Sequence, residues 1–172
     1  MNKKILYIVS LACALSLIGA TSAFAKSENG SKQTGEQHRS AVANIVQELV
    51  KVANRDSQIG EEVKVVAQEE KDQSEIVKEK MDKVENGGGL KTFFIGSDYK
   101  NLGALRSELV TTQNHLNRLN KALERTTSTT IKADLETQIK DLEAIKTKAD
   151  SFVKTNESKF SLFGWFVKLF NK

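Results

Sequence analysis

The sequence predicts an all-α protein: a long helix, then an antiparallel helical hairpin in a coiled-coil-like bundle, then a short amphipathic C-terminal helix. Three observations lead there. The 172 residues contain no proline, the residue that most often punctuates turns and stops helices, while Lys, Glu, Ala, Leu and Gln are abundant. Apolar residues recur in a heptad frame through the first half of the chain. The last fifteen residues, SKFSLFGWFVKLFNK, concentrate aromatic side chains on one face of a helical wheel.

The N-terminus, MNKKILYIVSLACALSLIGATSAFAKS, places two lysines before an apolar run from Ile5 to Ala20 and then the small residues Ala23-Phe24-Ala25. This is the order of a secretory signal, residues 1–25, with cleavage expected after Ala25. The rival, an uncleaved membrane anchor, is weaker because the run falls short of the roughly 20 apolar residues a spanning helix needs. A lipidated N-terminus is disfavoured because Cys13 lies inside the apolar run. Export to the periplasm, cell surface or medium is expected, with peripheral association at a membrane. Loss of Lys3 and Lys4 with the signal lowers the formal charge from +4 to about +2, too little to argue for nucleic acid or an acidic substrate. Loss of Cys13 leaves no thiol, so no disulfide, thiol nucleophile or thiolate metal site is expected.

Residues 26–35, KSENGSKQTG, are polar and glycine-containing, and read as a disordered lead-in. The bundle is expected over residues 36–157, with an elbow at 86–98. From Glu36 to about Glu85 the positions Val42, Leu49, Asp56, Val63, Glu70, Val77 and Val84 are spaced by sevens, with Ile45, Val52, Ile59, Val66, Gln73 and Lys80 between them. Asp56 to Gly60 could form a turn, but two separate helices have no reason to keep one phase, so a single helix bent at Gly60 is expected. Polar Asp56, Glu70 and Gln73 weaken the stripe. The run Asn86-Gly87-Gly88-Gly89 makes helix continuation unfavourable, and a second aromatic cluster, Phe93, Phe94 and Tyr99, follows it.

Ser97 or Asp98 is a suitable N-cap for the next helix, whose stripe is Leu102, Leu105, Leu109, Thr112, Leu116, Leu119 and Leu123. Gly103 either permits a close backbone approach or is incidental. Residues Thr126 to Thr130, TTSTT, disfavour helix, and the pattern resumes out of phase at Ile131, Leu135, Ile139, Leu142, Ile145, Ala149 and Phe152. A reversal there gives two matched helices of about 39 Å at 1.5 Å per residue; one helix with a distorted middle is the alternative. The reversal returns Asn156 to the neighbourhood of Tyr99.

No catalytic, cofactor-binding or metal-binding constellation emerges. His38 and His115 sit among polar neighbours and read as solvated surface residues. Glu61, Glu62, Glu69, Glu70 and Asp72, interspersed with Lys64 and Lys71, read as a solvated ion-paired face rather than a cation site, which wants oxygens converging from a loop. No nucleophile turn or phosphate loop is present, and no basic stripe for nucleic acid. A non-enzymatic protein without cofactor or metal is expected.

The tail, residues 158–172, carries the functional content. Phe160, Leu162, Phe163, Phe166, Val167, Leu169 and Phe170 fall on one half of the wheel, Trp165 lies at the seam, and lysines are the only charges. A helix of about thirteen residues is near 20 Å, too short to span roughly 30 Å of hydrocarbon. Three placements follow: in a membrane interface, folded back on the protein's own core beside Phe93 and Phe94, or docked on a protein partner or second copy. The reading is an exported envelope protein, a spacer or adaptor touching a membrane surface or partner through this helix. The alternative is a soluble extracytoplasmic binding or chaperone-like module whose tail caps its own core or a dimer interface.

Overall fold

The computed structural model describes residues 34–87 and 97–158, and these residues form four α-helices and no strand. The helices are α1 (Thr34–Ala53), α2 (Gly60–Asn86), α3 (Tyr99–Arg125) and α4 (Thr129–Glu157). Each packs on the next, and α4 returns to pack on α1. Side-chain pairs run in opposite directions across the α1–α2 and α2–α3 interfaces, and a turn of three residues reverses the chain from α3 into α4. Thr34 reaches Glu85 and Arg39 reaches Glu75 between α1 and α2. Gln73 meets Thr112 while Glu62 meets Arg125 between α2 and α3. The four helices therefore form an up-and-down bundle.

This corrects the expected single helix from Glu36 to Glu85. The chain breaks between Ala53 and Gly60, and the residues there explain how. Asp56 accepts a hydrogen bond from the Gln58 backbone N–H at 2.8 Å, the local side-chain-to-backbone bond that competes with helix. The Arg55 guanidinium turns back to the Lys51 carbonyl at 3.3 Å and satisfies an end of α1. Ile59, almost wholly buried, plugs the turn. Gly60 is required for closure: a β-carbon there would lie 2.3 Å from the Ala53 carbonyl oxygen. A second correction is at the N-terminus, where α1 begins at Thr34, inside the expected lead-in, with Gly35 buried against Lys78.

The reversal at the threonine-rich stretch falls at Thr126–Ser128. Thr126 is extended, and the Ser128 hydroxyl accepts from the Ile131 N–H at 3.4 Å to cap α4. Asp98 rather than Ser97 caps α3, accepting from the Asn101 N–H at 3.2 Å. Gly103 is incidental, since a β-carbon there would meet nothing within 4 Å.

Apolar positions fill two separate clusters. The larger takes Val42, Ile45, Leu49 and Val52 from α1, Ile59, Val63, Val66 and Ala67, Leu116, Leu119 and Ala122 from α3, and Ile131 to Ile145 from α4. The smaller holds Val77, Met81 and Val84, Leu102, Leu105 and Leu109, and Ala149 and Val153, with nothing from α1. The early turns of α1 are held instead by polar contacts, Thr34 to Glu85 and Arg39 to Glu75.

Charges divide the surface labour by residue type. Arginines tie one element to another: Arg39 to Glu75 as well as to Glu36 of its own helix, Arg106 to Glu157, Arg118 to Glu69 and Arg125 to Glu62, while Arg55 joins the α1–α2 turn to Asp134 of α4. Among the described residues, lysine pairs stay within one helix, as Lys51 with Glu48, Lys78 with Asp82, Lys83 with Glu79 and Lys146 with Asp150. The planar guanidinium holds a fixed geometry across a gap better than a flexible ammonium does.

Candidate functional site

Two regions qualify: a polar layer buried between the apolar clusters, and the end of the bundle from which the aromatic segments depart. The layer is built from the residues that interrupt the heptad stripe. Glu70 and Gln73 on α2 face Thr112 and His115 on α3. Glu70 is 3% exposed and His115 5%. The Glu70 Oε1 atom lies 2.7 Å from His115 Nδ1, and the Glu69 Oε2 atom lies 3.2 Å from Nε2. Glu69 is in turn paired with Arg118. The Gln73 amide donates to the Thr112 hydroxyl at 2.9 Å and to the Glu108 carbonyl, while its own oxygen has no partner.

His115 is therefore not the solvated surface histidine the sequence suggested. Both ring nitrogens face carboxylate oxygens. That geometry has a chemical consequence. A general base needs one nitrogen directed at a substrate or nucleophile, whereas here each nitrogen is occupied by an acid. Glu70 corrects the reading of the acidic stretch, being buried rather than part of a solvated face. Glu62 and Glu69 are ion-paired as expected, but with Arg125 and Arg118 across the helix gap rather than with Lys64 and Lys71. His38 is half-buried, and burial pushes its pKa down to about 4. Among the described residues no group of three or more His, Cys, Asp or Glu is placed to hold a metal ion.

The residues the sequence singled out for contact, Phe160, Leu162, Phe163, Trp165, Phe166, Val167, Leu169, Phe170, Phe93 and Phe94, lie outside the described residues. So do the signal segment and most of the elbow. The described residues that flank them do come together. The Ser97 hydroxyl donates to the Asn156 carbonyl at 2.7 Å and approaches the Glu157 carbonyl at 3.3 Å. Thr34 bonds Glu85 at the end of α2. The start of α1, the end of α2, the start of α3 and the end of α4 thus share one end of the bundle. A charged groove lined by Lys78, Asp82, Lys83, Gly87, Asp98 and Asn101 opens beside it. Among the described residues no helix is long and apolar enough to cross a membrane.

Comparison with protein-family models, with curated proteins and with solved structures finds no match.

The buried pair was missed in the sequence because heptad reading treats a polar residue on the stripe as a weakness. The available signal was a coincidence of two stripes. Glu70 and Gln73 interrupt one at mid-length, and Thr112 interrupts the other at a matching distance from its own helix end.

Proposed function

We propose that this is an exported, non-enzymatic helical envelope protein, a coiled-coil-like spacer or adaptor that contacts a membrane surface through the amphipathic segment Phe160 to Phe170. The observation that carries the reading is the Ser97 bond to the end of α4, which tethers the chain leading from Phe93 and Phe94 beside the chain leading into the tail. Two aromatic clusters are thereby attached to a single end of a bundle whose helices carry many surface ion pairs. The tail has lysine as its only charge and Trp165 at its polar seam, the composition of a helix lying in an interface. The order of lysines, apolar run and A-x-A at the N-terminus supports export. The opposite end of the bundle, at Asn54–Ile59 and Thr126–Ser128, presents turns and is free to face outward.

Co-sedimentation with vesicles containing anionic lipid tests this reading. Binding is expected for the protein ending at Lys172 and lost for one ending at Ser158, with the helical circular dichroism of both nearly equal. Equal recovery in the supernatant with and without vesicles would remove the membrane from the proposal. Unfolding or aggregation on the same truncation would favour the alternative, a binding module whose tail caps its own core.

A further inference from the structure

The heptad frame runs through the break between α1 and α2 without losing phase. Val42, Leu49, Val63, Val77 and Val84 keep intervals of seven or fourteen across it, as do Ile45, Val52, Ile59 and Val66, and these residues are buried on both sides of the turn. A closed hairpin has no need of this, because a turn can present either helix at any rotation. A continuous helix paired along its length does need it, since only a shared phase keeps one stripe facing one partner.

The break is also small. The Asn54 N–H donates to the Val50 carbonyl at 3.0 Å, the Gly60 N–H to Asp56 at 2.8 Å and the Val63 N–H to Ile59 at 3.0 Å, all at helical spacing. Between Asn54 and Val63 the helical bonds other than that of Gly60 have still to form on opening, and no proline bars their formation. The helix that would have to leave, α1, gives its apolar side chains to the larger cluster and none to the smaller.

We propose that the chain opens at Asn54–Ile59 into one continuous helix and exchanges α1 with a second copy, giving a domain-swapped dimer. Each α1 then fills in its partner the place it leaves in its own bundle, and the two long helices lie antiparallel along one unbroken stripe. Every contact of α1 is remade between copies, so the difference between the forms is confined to the hinge. Two hinge residues hold the closed form. Gly60 admits the Ala53 carbonyl, and Asp56 binds the Thr126 hydroxyl and the Gln58 N–H. In the swapped form the two Asp56 carboxylates approach each other near the twofold axis, which disfavours it while they are charged.

Gly60→Ala tests the inference, because alanine favours the continuous helix and its β-carbon obstructs the closed turn. Light scattering after refolding at several concentrations should show dimerisation strengthened by about 20-fold or more, the two-copy product of the glycine-to-alanine helix preference. Tagged and untagged dimers should exchange only after unfolding and refolding. A folded Gly60→Ala protein that stays monomeric at all concentrations overturns the proposal, as does a dimer whose copies exchange freely on mixing, the behaviour of association through the apolar tail. Should Gly60→Ala fail to fold, the triple variant Asp56→Ala, Ser57→Ala, Gln58→Ala with Gly60 retained gives the same reading, and a monomer there overturns it equally.

Discussion

Replacing His115 by leucine removes both of its carboxylate contacts in the buried polar layer at once. Glu70, 3% exposed, then keeps a carboxylate in the core with its 2.7 Å partner gone. Breaking a buried pair from one side destabilises by about 3 to 5 kcal/mol, because the remaining charge is left without compensation. Glu70→Leu is milder, about 1 to 3 kcal/mol, since His115 retains Glu69 at 3.2 Å and Glu69 is half-exposed. The double variant leaves two apolar side chains of suitable size between two apolar clusters, and is expected within about 1 kcal/mol of the parent. Urea unfolding followed at 222 nm measures all four proteins. The coupling energy of the cycle should be about 3 kcal/mol or more, and the His115→Leu melting temperature should fall by about 10 °C. Additive single effects, with coupling below about 0.5 kcal/mol, would refute the argument that these two side chains meet in the folded core.

Other changes have defined outcomes. Leu119→Ala, at a fully buried position of the larger cluster, should lower unfolding stability by about 2 to 5 kcal/mol. Gly103→Ala meets no neighbour within 4 Å and should raise stability by up to about 1 kcal/mol in the same assay. The Thr126 hydroxyl and the Gln58 N–H hold the Asp56 carboxyl below its ordinary value of 3.8. Its stabilisation is therefore present above about pH 4 and lost as pH falls through the lowered value. The urea midpoint of the parent should exceed that of Asp56→Asn near neutrality and converge with it as the pH falls below the ordinary carboxylate value of 3.8, and a gap that does not narrow in acid would contradict this assignment.

Much of the core was legible because apolar periodicity reports burial directly. The leucines from Leu102 to Leu119 and the run Ile131 to Ala149 are buried where the stripes placed them. The misplacements are small and have a common origin. Met81 occupies the interior position assigned to Lys80, and Val153 is more deeply buried than Phe152, because a straight helix drifts about 20° per heptad from a strict repeat of seven. The turn at Asn54–Ile59 was harder to read, since a phase that continues through a break hides the break. Its local marks, Asn54, Asp56, Ser57 and Gly60, compete with helix only weakly, and closure against α3 and α4 decides between turn and helix. The Glu70–His115 pair lay beyond a one-helix reading altogether, because each residue looks misplaced until its partner on the other helix is known.

The separation of arginine and lysine roles has a consequence for chemical modification. Acylating lysine amines removes charge from pairs such as Lys51–Glu48 and Lys146–Asp150, which lie within single helices, and leaves the ties between helices untouched. Dicarbonyl reagents that consume guanidinium groups act on Arg118–Glu69 and Arg125–Glu62, which bind α2 to α3. The bundle can therefore be dressed extensively at its amines, by dyes, cross-linkers or acetyl groups, while the seams that register one helix against the next stay closed.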